Sequence, residues 1–163
     1  PTMAISNSMS AMAAQNIGAG NWGRVGKIAK HGCMLAFSVT AIAALLVYAL
    51  GEAPLRLFLP DGGESLQIAW NINRVVLLCW PTISITFGLF AVVRANGVVM
   101  PSAIIFTLTM WGLRVPFAYF LQPILGSAAI WWSFPVSTFT SALFAYGYYK
   151  FGRWRQFKPM NAL

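Results

Sequence analysis

Long apolar runs follow one another along the chain, and short clusters of glycine, proline and charged residues separate them. A helix needs about 20 predominantly apolar residues to cross a hydrocarbon core. Runs of that kind extend from about Gly32 to Leu50, about Leu66 to Val93, about Pro101 to Leu121 and about Ser127 to Tyr149, and a shorter one covers residues 1–16. The pattern predicts an all-α membrane protein with five transmembrane helices, the first truncated. Helices suit this solvent because each satisfies its own backbone hydrogen bonds in lipid. Since the sequence opens on Pro1, already inside a small-residue apolar run, it is expected to be a piece of a longer protein.

Composition agrees with this. Only 9% of the residues are charged and 58% are hydrophobic, against roughly 25% charged in an average soluble domain. The net charge of +8 would suggest nucleic acid in a soluble protein, but here it follows the loops. Arg24, Lys27 and Lys30 fall between the first two runs, Arg94 between the third and fourth, and Lys150, Arg153, Arg155 and Lys158 after the last. These lie on one side, which the positive-inside rule makes cytoplasmic. The opposite connections hold Arg56 and the three acids Glu52, Asp61 and Glu64. The expected topology is therefore multi-pass in the inner or plasma membrane, with the tail 150–163 in the cytoplasm.

Gly18, Gly20 and Gly23 spell G-x-G-x-x-G, a dinucleotide-binding pattern that has meaning only after a strand and before an acidic residue about 20 positions on. Neither is present: "NSMSAMAAQ" precedes it, with Ser6, Ser10 and Ala14 one turn apart, and the next acid is Glu52, beyond a whole span. A phosphate loop fails too, because Ile28 stands where Ser or Thr is required. The glycines are read as a helix break at the membrane surface. Cys33 and Cys79 match no metal spacing and are read as packing residues. His31 has no ligand partner and belongs to the headgroup region. With one His and no acid inside a span, no acid–base or metal constellation supports an enzyme, and no cofactor is implied.

The segments "SAMAAQNIGAGNWGRVGKIAKHG", "LRLFLPD", "VVRANGVVMPS", "LRVPFAYFL" and "SAAIWWSFPVS" occur in the order seen in the multidrug and toxic compound extrusion (MATE) family of antiporters, which the chain resembles over nearly its whole length. The resemblance implies part of the second of two six-helix bundles, helices eight to twelve. It further implies export of amphipathic or cationic compounds by alternating access, in exchange for H+ or Na+, with the missing N-terminal bundle as partner. Some sodium-coupled relatives carry an acid in the helix matching residues 66–93, where this chain reads "LLCWPTISITFG". The coupling site is accordingly expected outside these residues. Rival readings are a lipid-linked oligosaccharide flippase of related architecture and a membrane assembly subunit without transport.

Several residues are candidates for function. Arg74 and Arg114 lie inside spans, where an ionisable group is a functional hypothesis by default. Arg74 can instead snorkel toward the outer surface, and Arg114 can donate to carbonyls that Pro116 leaves unpaired. Pro81, Pro116 and Pro135 interrupt helical hydrogen bonding and are expected to kink their helices, as static bends or as hinges. A cavity for aromatic or cationic compounds needs π surface and a few polar groups; the candidates are Asn7, Ser10, Gln15, Trp80, Phe87 and Trp111, each with lipid contact or packing as the alternative. The terminal "YGYYKFGRWRQF" is read as an interfacial aromatic belt.

Overall fold

The computed structural model describes residues 1–59 and 62–156. Asp61 and Lys158, both used in the charge argument, lie outside the described residues. Among the described residues every regular element is helical, so the all-α membrane architecture read from the sequence is the one adopted.

Helix α1 (Thr2–Gly18) ends in a turn whose pivot is Gly20, at φ +72°. Only glycine adopts that conformation without steric cost, so the G-x-G-x-x-G stretch does break the helix. The break is shorter than expected. Helix α2 starts at Trp22 and continues for 29 residues to Leu50, so Arg24, Lys27 and Lys30 occupy its first turns rather than a loop. Gly23 and Gly26 stay helical, and nothing else in that stretch stops propagation. The charges face outward while Val25 and Ala29 are buried on the inner side. At 1.5 Å per residue, about 43 Å of helix exceeds a hydrocarbon thickness of about 30 Å, leaving the basic turns in the headgroup layer.

A short helix α3 (Ala53–Arg56), started by Pro54 and carrying the Glu52–Arg56 ion pair at 3.1 Å, leads into the next span. That span is α4 (Gly63–Leu77) followed directly by α5 (Cys79–Arg94). Pro81 explains the interruption at Leu78: it has no N–H to give the carbonyl of Leu77, and its ring crowds that turn. Leu78 keeps helical angles (φ −64°, ψ −23°), so α4 and α5 still form one 32-residue span, Gly63–Arg94. The fourth span comprises α6 (Met100–Thr107), a π turn (Leu108–Leu113) and α7 (Arg114–Leu125). After Gly126, at φ +58°, α8 (Ala128–Phe151) runs unbroken through Pro135 and ends in a 3-10 turn, Arg153–Gln156.

Three of these units, Trp22–Leu50, Gly63–Arg94 and Met100–Leu125, are long and apolar enough to cross a membrane by length and composition alone. The other two differ for opposite reasons. Helix α1 has only 17 residues, whereas α8 has 24 but dilutes its apolar run with Ser133, Ser137, Thr138, Thr140 and Ser141.

Helix α5 is the centre of the body: α1, α2 and α8 pack on it, α1 also packs on α2, and α7 packs on α8. Its stretch Gly88–Val93 is buried at every position. Close approach depends on two glycines. A Cβ at Gly32 would meet the Met9 Sδ at 2.5 Å, and one at Gly88 would meet Cys33 Sγ at 2.9 Å and Met9 Cε at 3.3 Å. Met9, 1% exposed, thus fills a notch that exists because both residues lack side chains. Nearby, Met9, Ala13, Val25, Ala29, Val92, Val93 and Trp154 form one cluster. Trp154 closes it, donating from Nε1 to the Tyr149 carbonyl at 2.8 Å while its own carbonyl accepts from Asn96 Nδ2 at 2.6 Å.

Two glycines on α2 therefore respond differently to a methyl group. Gly26 has nothing within 4 Å of a built Cβ, so Gly26→Ala should be neutral or stabilise by up to about 1 kcal/mol through helix propensity. Gly32→Ala should destabilise by about 1–3 kcal/mol through overpacking, and by clearly less in a Met9→Ala background. Unfolding in detergent measures both; equal effects at the two glycines would remove the notch from the account.

Candidate functional site

The interior is unusual in its chemistry. Its buried polar positions are almost all hydroxyls: Ser6, Thr40, Thr82, Ser84, Thr86, Ser102, Thr109, Ser133, Ser137, Thr138 and Ser141, with Asn96 at the basic end. Most of them donate to carbonyls three or four residues back on their own helix, as Thr86 does to Thr82, Thr109 to Ile105 and Ser133 to Ile130. A hydroxyl satisfied in this way is small enough to lie in a helix–helix contact, the usual composition of membrane interfaces. Two of them also meet between helices: Thr40 Oγ1 on α2 lies 3.2 Å from Ser84 Oγ on α5, while Thr40 donates to the Ala36 carbonyl and Ser84 to the Pro81 carbonyl, each at 2.7 Å.

Arg114 has a defined seat. Its Nε donates to Ser137 Oγ on α8 at 3.1 Å, Ser137 donates onward to the Phe134 carbonyl at 3.0 Å, and the guanidinium carbon sits 4.0 Å from the centroid of the Phe134 ring. The partners are thus a hydroxyl and an aromatic face on the neighbouring helix, not the carbonyls that Pro116 would have freed. That expectation is corrected, because Pro116 acts upstream: the turn before it widens into the π turn Leu108–Leu113, in which the Arg114 N–H reaches back to the Thr109 carbonyl. Widening by one residue moves carbonyls away from the proline ring and bends the span.

Arg74 lies on the exposed side of α4, with Nη2 donating to the Tyr48 hydroxyl at 3.3 Å. Its guanidinium carbon is 5.8 Å from the Tyr48 ring centre and 5.7 Å from that of Trp70. Neither ring was singled out from the sequence, although Trp70 and Arg74 stand one helical turn apart.

The cavity candidates do not converge. Asn7 and Gln15 are on the exposed side of α1, with Ser10 half-buried beside them. Trp80 lies across the start of α1, sharing a groove of about 330 Å³ with Pro1, Thr2, Val39 and Thr40. Phe87 turns the other way and meets Phe106 at 6.2 Å between ring centres. Trp111, 72% exposed on the fourth span, stands apart from all of them among other large apolar side chains. Among the described residues no three His, Cys, Asp or Glu side chains gather as metal ligands. Cys33 and Cys79 are free thiols that approach the carbonyls of Ile85 and Val75 respectively. His31 Nδ1 lies 2.9 Å from the Lys27 carbonyl on its own helix.

Helical spans with hydroxyl-lined contacts, proline-adjusted turns and two intramembrane arginines fit the extrusion proteins that the sequence resembles. The family model MatE matches residues 1–120. The chain belongs to the MATE family. It is 30% identical over 156 residues to the probable multidrug resistance protein YoeA of Bacillus subtilis (strain 168), covering 93% of this chain and 33% of that protein. Likewise it is 30% identical over 158 residues to the probable multidrug resistance protein YpnP of the same organism, covering 97% and 35%. The chain therefore spans about a third of the length of the curated relatives it matches. No solved structure matches it.

The Arg114 seat makes a measurable prediction. Ser137→Ala should lower stability in detergent by about 1 kcal/mol, the scale of polar contacts between membrane helices. In an Arg114→Leu background the same change should cost little, because its partner is already gone. Additive losses would show that the two residues do not interact.

Proposed function

We propose that this chain is the greater part of the C-terminal bundle of a secondary antiporter that exports amphipathic or cationic compounds in exchange for H+ or Na+, with all five long units crossing the membrane. The observation that carries the proposal is a difference between exposed faces. On α2 and the fourth span the outward side chains are large and apolar, among them Leu35, Phe37, Ile42, Leu46, Ile104, Leu108, Trp111 and Phe120, as contact with lipid tails requires. On α1 the exposed residues include Asn7, Ser8, Ala11, Ala14 and Gln15 beside Met3 and Met12. The Asn and Gln side chains among them are costly against lipid and suited to water, a substrate or a facing bundle.

Charge supports the orientation. The cluster of Val25, Ala29, Val92, Val93 and Trp154 draws the start of α2, the end of α5 and the end of α8 together, so Arg24, Lys27, Arg94, Arg153 and Arg155 share one end of the body. Glu52, Arg56 and Glu64 belong to the connection at the other end. Under the positive-inside rule the basic end faces the cytoplasm. The carboxylate that a described span does hold, Glu64, stands in the first turn of α4 at the outer end, so the coupling group is assigned to the rest of the protein.

The test is drug efflux by the full-length protein in proteoliposomes under an imposed pH or sodium gradient. Gln15→Trp, which narrows the polar face, should lower efflux about tenfold, a barrier change of about 1.4 kcal/mol, whereas Trp111→Leu on the lipid side should leave it unchanged. The opposite ranking would move the cavity away from α1, and no gradient-driven efflux by the wild type would end the antiporter reading. Orientation is read separately: cysteines at Gly62 and Gln156 should label from opposite sides of the membrane.

A further inference from the structure

A groove of about 520 Å³ runs between α2 and the α4–α5 span and is lined by Ala41, Ala44, Leu45, Tyr48, Arg74, Leu77, Leu78 and Pro81. It is unrelated to the polar face of α1. Pro81 lines it on the α4–α5 side, and the small Ala41 and Ala44 line it on α2. Apart from Arg74 and the Tyr48 hydroxyl, every lining residue is apolar. At one end of this slot sits a cation with a defined direction. Side chains on a helix lean toward its N-terminus, so Arg74 reaches from its own turn up to Trp70, toward the Gly63 end of the span. There the Tyr48 and Trp70 rings, 5.7 Å apart between centres, flank the guanidinium and Tyr48 holds one of its N–H groups. Guanidinium N–H groups in excess of that one bond stay available, and no carboxylate pairs with Arg74 among the described residues.

We propose that this groove is a binding site for an anionic phospholipid of the leaflet at the Gly63 end, with the phosphate on Arg74 and the Tyr48 hydroxyl and one acyl chain along Ala41, Leu45, Leu77 and Leu78. The chemistry is complementary at each end. Arginine's planar fork matches phosphate oxygens, and Trp and Tyr settle at headgroup depth. An apolar slot that opens to the bilayer accepts an acyl chain at no cost in buried polar groups. Depth agrees: Arg74 lies 11 residues, about 16 Å, below the start of a span about 48 Å long. With about 30 Å of hydrocarbon centred on that span, its Cα falls several ångström inside the acyl layer while its head group returns to the phosphates.

Native mass spectrometry of the full-length protein, exchanged from detergent containing phosphatidylglycerol or phosphatidylcholine, tests the site without reference to transport. Wild type should retain phosphatidylglycerol about tenfold better than Arg74→Gln, the loss of roughly one charge-assisted contact, and Arg74→Lys should fall between them. Leu45→Trp, at a position 66% exposed on α2 and so tolerant of substitution, should fill the slot and weaken retention of phosphatidylglycerol with Arg74 intact. Equal retention by wild type and both the Arg74→Gln and Leu45→Trp proteins would overturn the site, as would phosphatidylcholine held as well as phosphatidylglycerol. A Leu45→Cys thiol shielded from a membrane-soluble maleimide in lipid-free detergent would assign the groove to another part of the protein and overturn the lipid as occupant.

Discussion

Three helices meet around one methionine, and the rest of the body depends on that meeting. Met9 on α1 can enter the contact between α2 and α5 because Gly32 and Gly88 leave the space its thioether occupies. Lipid tails are as apolar as any side chain, so membrane helices gain little by hiding leucine and gain instead from close van der Waals contact. Once α1, α2 and α5 are fixed at this height, the neighbouring turns follow in register: Val25 and Ala29 meet Val92 and Val93, and Trp154 folds over them from the end of α8. The glycines on α2 and α5 and the methionine on α1 thereby set which end of the bundle is closed by aromatic packing.

The same solvent accounts for the inversion of side chains between inside and outside. In water a bundle with Ser, Thr and Ala inside and Leu, Phe and Trp outside would have its hydrophobic driving force reversed. In lipid the large residues cost nothing on the surface, and the interior is free to select for smallness. Hydroxyls are tolerated there because a helix offers a carbonyl one turn back, so Ser133 or Thr109 enters the contact already satisfied. The exposed face of α1 departs from this rule in part, with Asn7 and Gln15 beside Met3 and Met12, and that departure is what the proposed cavity face rests on.

Much of this was legible in the sequence, and the failures have physical causes. Run length and the placement of Lys and Arg gave the helical units and their order, since both record the thickness and charge of the membrane directly. Boundaries near Arg24 were misplaced because hydropathy marks where lipid ends, whereas a helix ends where the backbone is forced to turn, here at Gly20. Pro116 announced a disturbance but not its form; whether a proline yields a bend, a π turn or an unbroken helix depends on the neighbours that satisfy the carbonyls, as the contrast with Pro135 demonstrates. The seat of Arg114 on Phe134 and Ser137, and the contact of Arg74 with Tyr48, join residues on different helices. No spacing along one helix encodes such a contact, so six cavity candidates chosen by residue type alone scattered over separate faces.

The fourth span carries the argument one step further. It is the least buried of the three long apolar units, and its contacts within the body are chiefly with α8. A helix held by so little apolar contact in lipid has weak positional preference, since sliding exchanges one apolar neighbour for another. A charge changes that balance. Moving Arg114 away from Ser137 and Phe134 would leave a guanidinium in hydrocarbon without a partner, at a cost of several kcal/mol at the centre of a bilayer, whereas the loss of a leucine contact there costs far less. The contact with Ser137 and Phe134 thus favours one height of the span against α8, and the π turn Leu108–Leu113 directly precedes the residue that makes it.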